Sequence, residues 1–98
     1  MKTFDDINRT LREHLDNLRQ DYGVAEIGVF GSFAREEQRE GSDVDILIQF
    51  SRPVGFVMFM RLENHLCELL GVKVDLVTKK ALKPYIGRHI LEEVRYVA

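Results

Sequence analysis

An α/β domain with one central sheet covered by helices is predicted, in the order α-β-α-β-α-β-α. Apolar residues recur at helical spacing in some stretches and crowd into short, β-branched runs in others. The two kinds of stretch alternate, and glycine marks most of the switches between them. A length of 98 residues makes residues 1–98 one domain, with a core of modest size.

Residues 5 to 21 read as an amphipathic helix, with Ile7, Leu11, Leu15, Leu18 and Tyr22 on one stripe. Thr3, Asp5 and Asp6 are suited to cap it, and Asp21-Tyr22-Gly23 marks its end. Val24 to Phe30 reads as a strand. Gly31-Ser32 interrupts it, and Phe33 to Glu40 reads as a short polar helix. After the Gly41-Ser42 turn, Asp43 to Phe50 is a second strand. Residues 55 to 70 read as a helix with Phe56, Phe59, Leu62 or Glu63, Leu66 and Leu70 along one face, closed by Gly71. Val72 to Thr78 is a third strand. Pro84 starts a last helix with Ile86, Ile90, Leu91 and Val94 as its buried stripe, weakened by Gly87 by about 1 kcal/mol relative to alanine.

Composition narrows the function classes. The formal charge is −2, and the isoelectric point near 5.9 gives no sign of bulk nucleic-acid binding. Cys67 stands alone, so no intramolecular disulfide forms, which fits a reducing cytoplasm. The N-terminus turns polar at once and does not read as a signal peptide. The apolar stretch Val54 to Met60 is too short to cross a bilayer.

Chemistry concentrates in Gly31-Ser32, ten residues, then Asp43-Val44-Asp45. Side chains at i and i+2 of a strand share a face, so Asp43 and Asp45 project together while Val44, Ile46 and Ile48 turn to apolar packing. Adjacent carboxylates repel unless a cation lies between them. Hard oxygen donors with room for phosphate suit magnesium better than zinc. A glycine closing a strand ahead of a helix lets an anion approach the backbone, and the Ser32 hydroxyl adds a donor. Asp75, on the third strand, joins the pair if the strands are neighbours. Three carboxylates suit two metal ions, with Asp75 as ligand or general base toward an attacking hydroxyl. A lone DxD or GS is ordinary turn chemistry. Together, at about 5–7% abundance per residue, they arise by chance in about one chain of this length in a thousand.

The segment GSFAREEQREGSDVDILIQF resembles the signature of the DNA polymerase β-like nucleotidyltransferase superfamily. With the short length and the tail KVDLVTKKALKPYIGRHILEEVRYV, the chain is similar to the minimal nucleotidyltransferases. The resemblance implies the nucleotidyltransferase fold, a mixed central β-sheet flanked by helices. It implies transfer of AMP from ATP to a hydroxyl with release of pyrophosphate. Gly31 and Ser32, with Arg35, would contact the triphosphate. Asp43, Asp45 and Asp75 would be both the catalytic residues and the ligands of two Mg2+ ions. It further implies a HEPN-domain toxin as partner, adenylylated on a tyrosine by this chain acting as antitoxin. One position departs from the family's GSxARG, since Glu36 follows Arg35. That places an extra acid near the phosphate seat, able to tune the loop or weaken nucleotide binding.

Arg35 is equally an exposed helix charge, and Lys79 and Lys80 read as a solvated turn. His14, His65 and His89 lack ligand spacing and read as structural or exposed. Cys67 reads as a small packed side chain. The cluster from Val54 to Met60 exceeds what one helix face needs. Core packing is its first expectation, with some surface left for a partner or a homodimer. A donor site without an acceptor domain points to a macromolecular acceptor. The alternatives are a non-catalytic antitoxin that occludes its partner, or nucleotidyl transfer to a small molecule or RNA.

Overall fold

Residues 2–98 are described by the computed structural model. Thr3 opens helix α1 (Phe4–Glu13) through a capping box. Its Oγ1 accepts from the Asp6 N–H at 3.2 Å, and its own N–H donates to Asp6 Oδ2 at 2.9 Å. The single helix expected over 5–21 is two, because α1 stops at His14 and α2 (Leu15–Tyr22) resumes at once. His14 Nδ1 lies 2.9 Å from the Thr10 carbonyl oxygen, the group that a regular helix reserves for the His14 N–H. The apolar stripe runs through the break, and Ile7, Leu11, Leu15 and Leu18 are all buried.

Among the described residues, four strands form one mixed sheet in the order β3-β2-β1-β4. They are β1 (Val24–Phe30), β2 (Val44–Phe50), β3 (Val74–Thr78) and β4 (Arg95–Tyr96). β1 is antiparallel to both β2 and β4, whereas β2 and β3 are parallel. The parallel pair is joined by the long helix α4 (Phe56–Leu70), as a parallel crossover requires. β4 is absent from the expected order. Its two residues carry no alternation of their own and are recruited by β1, and Val97 just beyond donates to the Ile27 carbonyl at 2.9 Å.

α4 covers the sheet with Leu62, Leu66 and Leu70, all buried. It also closes the outer edge of β3. The outward N–H groups of Val74 and Leu76 donate to Cys67 Sγ at 3.3 Å and Glu63 Oε2 at 3.1 Å. An edge strand capped in this way offers less for another chain to pair with. Cys67 therefore accepts a backbone hydrogen bond as well as filling space.

Three expectations are corrected. The helix expected over Phe33–Glu40 is a single turn, α3 (Gly31–Ala34), followed by a loop to Asp43, because the polar run beyond Ala34 has no apolar face to dock. The cluster at 54–60 is not mainly core. Phe56 is 77% exposed, Val57 is exposed, and Met60 is marginally so, since only one stripe of α4 meets the sheet. The last helix, α5 (Pro84–Glu93), does not bury its predicted stripe. Ile86 is 58% exposed, Leu91 is exposed, and Ile90 and Val94 are half-buried. Gly87, read as a weakness, is the buried residue of α5. A Cβ there would meet Leu82 Cβ at 2.9 Å, so the missing side chain lets the segment ahead of α5 fold back on the helix.

Candidate active site

The antiparallel return of β2 beside β1, and the parallel entry of β3, gather three strand ends at one end of the sheet. Phe30 at the end of β1 faces Asp45 on β2, and Asp45 faces Asp75 on β3. The second and third strands are therefore neighbours, the condition on which Asp75 joins the pair, and Asp45 and Asp75 lie directly opposite in register. Asp45 is half-buried, whereas Asp43 and Asp75 are exposed. Asp43 lies just ahead of β2, with its Oδ2 3.9 Å from Lys73 Nζ.

Burial is the main force pushing the Asp45 carboxyl up, to about 6, with the Asp75 and Asp43 charges adding to it against the pull of Arg35. A carboxylate held out of water beside two others lacks positive charge. Among the described residues, no three His, Cys, Asp or Glu side chains are gathered closely enough to hold a metal ion. The donor set nevertheless fits a hard divalent cation whose shell is completed by phosphate oxygens, because all three donors are carboxylates and the central one is under-neutralised.

Gly31 begins α3 with φ +73°. A Cβ at this position would collide with Asp45 Oδ2, so only glycine lets the carboxylate lie against the turn. The Gly31 N–H, expected to face a phosphate, donates to Glu93 Oε1 at 2.9 Å. Arg35 Nη1 donates to Glu93 Oε2 at 3.0 Å, and Arg35 Nε donates to Glu37 Oε1 at 3.2 Å. Arg35 thus lies beside the Gly31 turn, and Ser32 is half-buried next to it.

Glu93 is the site residue that sequence reasoning missed. It lies 62 positions from Gly31 and carries no signal beyond ending a helix. Glu36 makes a different contribution from the one expected of it. Its side chain is exposed, and its backbone takes φ +58°, the one positive φ outside glycine among the described residues. The Glu37 N–H bonds the Ser32 carbonyl at 2.8 Å and the Glu36 N–H bonds that of Phe33 at 3.2 Å. This is a Schellman closure of α3 with Glu36 at the left-handed position, which explains why a glycine suits it. The acid beside the Gly31 amide is Glu93.

A groove of about 850 Å³, lined by Phe50, Pro53, Val54, Phe56, Phe59 and Lys79 among others, lies at the far ends of β2 and β3. It holds none of the predicted site residues, which lie toward the opposite end of the sheet. No helix among the described residues is long and apolar enough to cross a membrane.

The nucleotidyltransferase domain model matches residues 11–97. The protein adenylyltransferase MntA of Thermococcus cleftensis is 47% identical over 97 residues, covering 99% of this chain and 98% of its own. A solved structure described as a minimal nucleotidyltransferase is 35% identical, with a TM-score of 0.81 over 96% of this chain and 95% of that one. A complex of a tri-AMPylated HEPN toxin with its MNT antitoxin, from Shewanella oneidensis, shares the fold alone. Its matching chain is 17% identical, with a TM-score of 0.67 over 93% of this chain and 71% of that one. Likeness of this extent, running through the turn and strands that form the site, leaves one assignment: the chain belongs to the nucleotidyltransferase domain family and is a nucleotidyltransferase.

Proposed function

We propose that this chain transfers AMP from ATP to a tyrosine hydroxyl of a HEPN-domain toxin and so acts as its antitoxin. The observation that carries the reading is the register of Asp45 opposite Asp75, with the Gly31 turn against Asp45. The adenylyltransferase name of a relative 47% identical along the whole chain supports AMP as the group moved. The AMP-bearing HEPN toxin bound by a chain of the same fold supports the partner.

In this reading Asp43, Asp45 and Asp75 hold two Mg2+ ions, which would supply charge neutralisation for the triphosphate and its leaving group. The Gly31 N–H, Ser32 and Arg35 hold phosphate oxygens. The acceptor oxygen bonds to the α-phosphorus as the bond to the bridging oxygen breaks, and pyrophosphate leaves with that electron pair. Asp75 is exposed where Asp45 is not. It is the carboxylate that a hydroxyl arriving from solvent would meet, as base or through a shared ligand sphere.

Intact-mass analysis after incubation with the HEPN partner, ATP and magnesium tests this. The partner mass should rise by whole AMP units, and an Asp43→Asn variant should leave it unchanged. A second reading, occlusion without catalysis, draws on the Glu93 carboxylate already taking the Gly31 and Arg35 donors. Under occlusion, Asp43→Asn with Asp45→Asn still protects cells from the partner. Under catalysis, protection is lost while the complex persists.

A further inference from the structure

Two donors that the triphosphate would need are both taken by one carboxylate from the far end of the chain. Glu93 Oε1 accepts from the Gly31 N–H at 2.9 Å and Oε2 from Arg35 at 3.0 Å. The two oxygens of one anionic group thus occupy a backbone amide and a guanidinium, as two phosphate oxygens would. We propose that Glu93 is a built-in plug of the phosphate seat, which MgATP must displace to bind. The inference rests on the nucleotidyl-transfer reading above and concerns how that site is opened.

Glu93 is placed to leave. It is the last residue of α5, and its side chain is 29% exposed. The end of α5 is held to β1 through β4 and Val97, so it is the Glu93 side chain, turning about its own bonds, that frees both donors. Arg35 has a second carboxylate, Glu37, at 3.2 Å and is not stranded when Glu93 departs. Departure also removes a negative charge from beside Asp45 just as a polyanion arrives. A carboxylate that merely tied α5 down would need only Arg35, yet this one also takes the Gly31 amide. A seat whose competent state is only partly populated binds with its affinity reduced by that fraction.

Calorimetry of MgATP binding to the full chain tests the plug. Glu93→Gln keeps the size and an acceptor oxygen but removes the charge, and should lower the Kd about fivefold or more. Arg35→Ala combined with Glu93→Gln should lose that gain, because the displaced contact and the phosphate contact share the arginine. In the unaltered protein, the Glu93 carboxyl carbon resonance should move on saturation with MgATP, which does not depend on any variant folding. Equal or weaker binding by a folded Glu93→Gln variant, or an unmoved resonance, overturns the plug and leaves the nucleotide site standing. Absence of MgATP binding by the unaltered chain and by Glu93→Gln alike overturns both readings.

Discussion

Burial holds the Asp45 carboxyl at about 6, above its ordinary 3.8, so between those values the folded chain binds a proton that the unfolded chain has released. Stability from this group therefore falls as pH rises from about 4 to about 6 and stays low above that. Asp45→Asn removes the conflict. In metal-free buffer it should raise stability by on the order of 1 kcal/mol above pH 6.5, after allowance for solvent screening of a half-exposed group. The gain should shrink toward zero near about pH 4, while AMP transfer is abolished. Thermal melts of both proteins across pH check this, and a pH-independent difference would contradict it. Glu36 carries a second conflict, with a left-handed backbone that costs a non-glycine residue about 1–2 kcal/mol. Glycine there returns part of that as unfolded-state entropy, so Glu36→Gly should stabilise by about 0.5–1 kcal/mol in urea unfolding. The Gly31 turn and the alternate aspartates are legible in the sequence because both follow from local backbone geometry. Glu93 is not, since only the sheet brings residue 93 to residue 31.

At the scale of elements, spacing is informative wherever a segment has one face to bury. The three expected strands form, and Leu62, Leu66 and Leu70 of α4 are buried as their period requires, although Phe56 at the start of the same stripe is exposed. α5 misleads because its apolar residues suggest a buried stripe, whereas its buried residue is Gly87, against Leu82 of the segment leading into the helix. A glycine contact leaves no hydrophobic signal. β4 is illegible for the opposite reason, being defined by pairing with β1 and not by its own residues. The closed edge of β3 is a long-range feature of the same kind, and it yields a prediction. Glu63→Ala leaves the Leu76 N–H without its acceptor and should cost about 1–2 kcal/mol. It should also expose the edge to pairing, seen as self-association that grows with concentration in analytical ultracentrifugation. Glu63→Gln retains an acceptor oxygen and should behave nearly as the unaltered chain does.

Across the whole molecule, the sheet separates two surfaces. Its carboxylate end concentrates negative charge, while the groove at the far ends of β2 and β3 adjoins exposed Phe56. The chain as a whole carries only −2, so the strain of the carboxylate end is local and ought to be relieved by a local cation. A ligand that binds the folded chain alone raises stability by about 2.7 kcal/mol at a hundred times its Kd. For a domain of this size, each kcal/mol moves the melting temperature by about 4–8 °C. Magnesium added with ATP at pH 7.5, at a hundred times the Kd, should therefore raise the melting temperature by about 10–20 °C. Potassium chloride at matched ionic strength should not, because screening acts on all charges weakly while coordination acts on three carboxylates strongly. The rise should vanish in Asp45→Asn, whose neutral amide has already relieved the repulsion and makes a poor ligand. Parallel rises in the two proteins would mean that magnesium acts on general surface charge, and the assignment of Asp43, Asp45 and Asp75 as its ligands would fail. A rise confined to the unaltered chain would tie the instability of the carboxylate cluster to its catalytic purpose, with stability given up where the chemistry requires uncompensated charge.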